Sequence, residues 1–166
     1  MSNKNILFFD DDANNSNANI DKKNGIIFIN IKGEKGMSTA KIKSFTLGVK
    51  NMKKLDSAYF DWDLTLSRHN GVSYENYKSS TMKKNLSVYF GSDIRQKVLK
   101  DLFNEIKKKK GKLYILTRNG TALYKKERMF FKEMMNELQG NKDFTIKQLH
   151  YCPPSISKSA YIRKVN

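Results

Sequence analysis

Two short stretches place carboxylates where an apolar run stops. SAYFDWDLTLS, residues 57–67, ends a strand-like run on Asp61 and Asp63, with Thr65 two residues further on. NILFFDDDANN, residues 5–15, does the same with Asp10, Asp11 and Asp12. Like charges brought together raise each other's pKa, so such a grouping calls for a compensating cation. Mg²⁺ takes oxygen ligands and is often held by only a few carboxylates, the rest of its shell being water. A carboxylate beside it can attack phosphorus and form an aspartyl-phosphate, with the cation offsetting the repulsion between the two anions. The competing reading is plain: Asp-x-Asp pairs are common in loops, and residues 10–12 can simply cap a helix.

Chemistry of this kind requires elements that bring the two stretches together. Apolar runs of strand type cover residues 6–9, 26–31, 57–61, 112–117 and 145–151. Helices are expected over 39–54 behind Ser38, over 93–110, over 121–138, and over 158–165 behind Ser157. The helical stripes are Ile42, Phe45, Val49 and Met52; Ile94, Val98, Leu99, Leu102, Phe103 and Ile106; and Leu123, Phe130, Phe131, Met134 and Leu138. The run at 107–110 supplies lysines to the negative end of its helix, and Gly111 stops it. Asp12, Asn14, Asn15 and Asn17 carry turn and capping chemistry. KGEKGM, 32–37, reads as a loop, and 67–92 as a loop with a short hairpin. Strands alternating with helices predict an α/β fold, a three-layer Rossmann-like parallel sheet with helices on both faces. In such folds sites form at the carboxyl ends of the strands. A third strand end, Thr117-Arg118-Asn119, then joins the two aspartate groups.

With these residues in view, the chain resembles the haloacid dehalogenase superfamily over nearly its whole length. YFDWDLTLS looks like the first motif, an apolar strand followed by Asp-x-Asp-x-Thr. LYILTRNG is similar to the second, ISKSAYIRK to the third and ILFFDDD to the fourth. The order along the chain is four, one, two, three, which implies a circular permutation whose new linker joins the 39–54 helix to the 57–61 strand. The resemblance implies a single HAD-like domain and an Mg²⁺-dependent phosphatase. Asp61 would be nucleophile and metal ligand. Asp63 would protonate the leaving group, then activate water, and bind metal through its backbone carbonyl. Thr117, with Arg118 and Asn119, would hold the phosphoryl group. Lys158 would neutralise charge, Asp11 would bind the metal and Asp10 would orient Lys158. The metal ligand stays open among Asp10, Asp11 and Asp12, and Lys147 is the rival to Lys158. Leu64 stands where the family usually has Gly, as in members acting on large substrates.

Residues 67–92 leave room for a minimal cap or none, so an open site suits a macromolecular phosphate, on a nucleic-acid end or a phosphoprotein. Thirty-two Lys and Arg against 16 Asp and Glu, a formal charge of +16, favour an anionic partner as well. Arg68, Lys78, Lys83 and Lys84 with Tyr74, Tyr77 and Tyr89 either line a path for that partner, or the tyrosines pack and the lysines are solvated. The rival function is a non-catalytic basic nucleic-acid-binding module on the same fold. Cys152 is the only cysteine, which excludes an intramolecular disulfide and a cysteine-based zinc site. His69, His150 and Cys152 read as structural. No signal peptide or membrane-length apolar stretch is visible, so an intracellular, cytoplasmic protein without a membrane partner is expected.

Overall fold

The computed structural model describes residues 4–32 and 35–166. Five parallel strands form one open sheet in the order β2-β1-β3-β4-β5: β1 (Ile6–Asp10), β2 (Ile26–Asn30), β3 (Ser57–Phe60), β4 (Lys112–Thr117) and β5 (Leu149–Tyr151). Alternation along each strand sends side chains to two faces. Leu7, Phe9, Ala58, Phe60, Leu113 and Ile115 join the larger apolar cluster. Ile6, Phe8, Tyr59 and Leu116 join a smaller one. Helix α2 (Thr39–Asn51), α4 (Met82–Phe90), α5 (Asp93–Lys108) and α6 (Met129–Gln139) contribute to the first, and Ile162 of α7 (Lys158–Val165) to the second. Sheet and helices are thus the α/β layers the sequence predicts.

Strand order also creates a crevice. From β1 the chain passes through α1 (Ala18–Lys23) to β2 on one side, while from β3 it passes through α5 to β4 on the other. Adjacent β1 and β3 therefore flank a topological switch point, where ligands of open α/β sheets bind. Asp10 closes β1 there and Asp61 follows β3.

Several expected elements differ. Residues 67–92 form no hairpin. They hold α3 (Tyr74–Ser79) and α4, whose N-caps Ser73 and Thr81 accept the Asn76 and Lys84 amides. Tyr77 and Tyr89 are buried and pack against Phe130, while Tyr74 is half-buried and Lys78, Lys83 and Lys84 are exposed. The helix expected from 121 begins only at Met129. Asn119 instead caps a 3-10 turn over Gly120–Ala122, which leaves Leu123 56 % exposed. The strand expected from 145 is a 3-10 turn as far as Gln148, because Thr145 and Gln148 cap each other reciprocally. On α5, Ile94 is 65 % exposed and its neighbour Arg95 is buried instead. The KGEKGM loop lies partly outside the described residues, at 33 and 34.

One tie at the amino ends of the strands carries a pH signature. The Asn5 amide donates to Asp56 at 2.7 Å, and this bond, with Lys54 at 3.3 Å, holds the Asp56 carboxyl below its ordinary value. A depressed folded-state pKa stabilises above the unfolded value, near 4, and that contribution is lost as pH falls through the folded value. Asp56→Asn is expected to flatten the acid limb of stability against pH below about pH 4 in urea unfolding. An unchanged limb rules this tie out.

Candidate active site

The turn after β3 is built to present two carboxylates around one anchor. Trp62 points inward, with Phe90, Phe130 and Phe131 edge-on at centroid distances of 5.4, 5.4 and 5.1 Å. Leu64 takes a left-handed conformation, φ 56° and ψ 24°, which costs a non-glycine residue energy and persists only when its surroundings fix it. They do so here. The Gly36 and Met37 amides donate to the Leu64 and Thr65 carbonyls at 3.2 and 3.0 Å, and the Arg95 guanidinium reaches Thr65 O at 3.2 Å. Asp61 is buried just before this turn and Asp63 is half-buried within it.

Lys158 joins the strand ends. It is the first residue of α7, behind the Ser157 cap, and it is only 4 % exposed. A cation at a helix N-terminus opposes the dipole, and burial costs it hydration, so its position needs anionic partners. Its Nζ donates to Asp61 Oδ1 at 2.5 Å and to Asp10 Oδ2 at 2.9 Å. Asp10 is 1 % exposed and nearly saturated, accepting also from the Asp12 amide at 2.8 Å and from Asn15 Nδ2 at 3.2 Å. Lys147 is exposed on the turn before β5, at the other edge of the sheet, and takes no part. Asp12 is exposed and caps the turn at Ala13–Asn15.

Asp10, Asp11 and Asp61 can each offer an oxygen within 4.8 Å of the others. Three carboxylates thus face one ammonium, an excess of two negative charges. Burial pushes the Asp61 carboxyl well above the ordinary carboxylate range against the pull of Lys158. Burial and the neighbouring Asp10 raise Asp11. Desolvation works against the Lys158 ammonium, but its two carboxylates hold it above its ordinary value. The all-oxygen donor set and its surplus charge suit a hard divalent cation such as Mg²⁺.

The remaining expected residues stand around this cluster. Thr117 is buried at the end of β4, its Oγ1 accepting the Asn119 amide at 2.9 Å. Asn119 Nδ2 lies 3.4 Å from Asp63 Oδ2, while the Gly71 amide donates to Asp63 Oδ1 at 2.7 Å. Asp63 is oriented by these two groups and contributes no carboxylate oxygen to the acidic cluster. Arg118 turns away from the carboxylates to donate to the Ile156 carbonyl at 2.6 Å, securing the approach to α7. The sequence named Asn15 only for turn and capping chemistry and did not single out Trp62 or Arg95. The position of the lone tryptophan between two aspartates was the one signal available for it.

Comparison with known proteins identifies no relative: no family model, curated protein or solved structure matches the chain.

Proposed function

We propose that the protein is a Mg²⁺-dependent phosphatase that hydrolyses a phosphomonoester on a macromolecule, a circularly permuted member of the haloacid dehalogenase superfamily. The observation that carries this reading is Lys158 bridging Asp10 and Asp61 at the switch point, with Asp11 beside them. Asp10, Asp11 and Asp61 would hold the metal, with Asp63 contributing its backbone carbonyl as the resemblance implies. The ion would supply charge neutralisation for an incoming phosphate.

The chain's own residues account for the rest. A carboxylate oxygen of Asp61 attacks phosphorus and the ester P–O bond breaks. The Asp63 carboxyl, held by Gly71 and Asn119, gives its proton to the departing alkoxide. Asp63 then takes a proton from water, whose oxygen attacks the acyl phosphate. The bond from phosphorus to Asp61 breaks and phosphate leaves. Lys158, already within reach of Asp61, stabilises the added negative charge, and Thr117 and Asn119 border the phosphoryl group from β4.

The permuted order is supported by the contact between the end of α7 and the segment entering β1. Lys4 Nζ donates to the Asn166 carbonyl, and Asn166 Nδ2 donates to Tyr59 OH at 2.9 Å, so the exit of α7 meets the entry of β1. The net charge of +16 supports an anionic macromolecule as the phosphate's carrier.

The test is release of phosphate from an aryl phosphate by the full chain. Turnover is expected with Mg²⁺ and none in EDTA. Equal turnover in both removes the metal from the reading. Tight, salt-sensitive nucleic-acid binding without turnover on aryl or nucleic-acid phosphates replaces it with the basic binding module.

A further inference from the structure

A cavity of about 360 Å³ is lined by Arg95, the side chain that donates to the Thr65 carbonyl. The loop before α2, the start of α2, the residue after the β3 turn and the first turn of α5 enclose it. Lys35, Arg68 and Arg95 line it, and no carboxylate among the described residues does. Arg95 is 2 % exposed. It spends three of its five N–H groups on the backbone oxygens of Met37, Phe90 and Thr65, at 2.8, 2.8 and 3.2 Å. Those carbonyls fix its position and leave its charge without an acidic partner among the described residues.

Arg68, an exposed side chain, lines the same space. Gly36 and Gly91, with φ of 77° and 85°, admit the pair. A Cβ on Gly91 would lie 2.9 Å from Arg68 Cδ and 3.4 Å from Arg95 Cδ, and one on Gly36 would lie 2.9 Å from Arg95 Nη2. Burial first, and then the neighbouring Arg68, push the Arg95 guanidinium down to about 10, still charged at neutral pH. A buried guanidinium beside a second one, with no carboxylate among the described residues lining the cavity, favours an anion between them. Ser38 and Thr39 bring the positive end of the 13-residue α2 to the same wall.

We propose that this cavity is a binding site for a phosphate group, held by Arg68 and Arg95 against the start of α2, with Lys35 at its rim. It is distinct from the carboxylate cluster, and Thr65 joins the two: its Oγ1 lies 3.4 Å from Asp61 Oδ2 while its carbonyl accepts from Arg95. The group is either free phosphate or a phosphodiester of a strand whose end reaches Asp61.

Calorimetric titration of the full chain with inorganic phosphate in EDTA tests this, since the metal-free carboxylates repel an anion. Saturable binding to one site is expected, weakened at least about tenfold in Arg68→Gln, the loss of one charge-assisted contact. Lys35→Glu, on an exposed loop, is expected to weaken it in the same direction. Asp61→Asn is expected to bind phosphate no more weakly than the wild type, which separates this site from the phosphatase reading. Displacement of phosphate by an oligonucleotide with hydroxyl ends assigns the site to a strand's phosphodiester, and no displacement assigns it to free phosphate. No saturable binding by the wild type, or unaltered affinity in both cation variants, overturns the proposal.

Discussion

Asp61→Asn is expected to lower phosphate release by at least about 1,000-fold while the protein remains folded. The amide keeps the volume and an oxygen able to accept from Lys158, but it offers phosphorus no anionic nucleophile. Stability should move the other way. Burial raises the Asp61 carboxyl well above its ordinary range, which means that the fold disfavours its charged form. In the metal-free protein Asp61 also faces Asp10 and Asp11. A neutral side chain relieves both penalties, so the urea midpoint in EDTA should hold or rise. Loss of activity with retained or greater stability is the mark of a group kept for chemistry at a cost to the fold. A variant retaining activity within tenfold of the wild type removes Asp61 from the reaction.

The residues that proved legible share a physical reason. Parallel strands buried on both faces read as apolar runs, and all their carboxyl ends lie along one edge of the sheet. Recognising the runs ending at Asp10, Asp61 and Thr117 therefore places those residues near one another without any tertiary information. Lys158 is different, since nothing in a lysine at a helix start announces burial. It entered through the family resemblance, and its bonds to Asp10 and Asp61 depend on how α7 returns to the sheet. Helices α3 and α4 were missed because six and nine residues are too few to display a stripe. Their caps, Ser73 and Thr81, were the available signal. Arg95 was hidden for the opposite reason. Its type predicts a solvated surface, and its burial rests on the carbonyls of Met37, Phe90 and Thr65, which converge only in the fold. Exposed Ile94 took its place in the expected stripe.

Lys158→Met is expected to cost about 3–5 kcal/mol of stability in EDTA, among the largest losses any single substitution here can produce. Methionine fills similar space, so the loss is electrostatic in origin. Removing the ammonium leaves Asp10 and Asp61, both almost fully buried, without the charge that holds them together. The alternative, an ordinary surface lysine, predicts a change within about 0.5 kcal/mol. A double-mutant cycle separates lost packing from lost charge. Adding Asp61→Asn to Lys158→Met removes one of the stranded carboxylates, so the double variant should recover part of the stability that the single variant loses. A packing defect would persist unchanged in both. Divalent metal supplies an independent readout. Without Lys158 the surplus of negative charge at Asp10, Asp11 and Asp61 rises from two to three, so Mg²⁺ should raise the urea midpoint of Lys158→Met by more than it raises the wild type's. Equal shifts would mean that ammonium and cation do not share these carboxylates, and the site would then have to be rebuilt without Lys158.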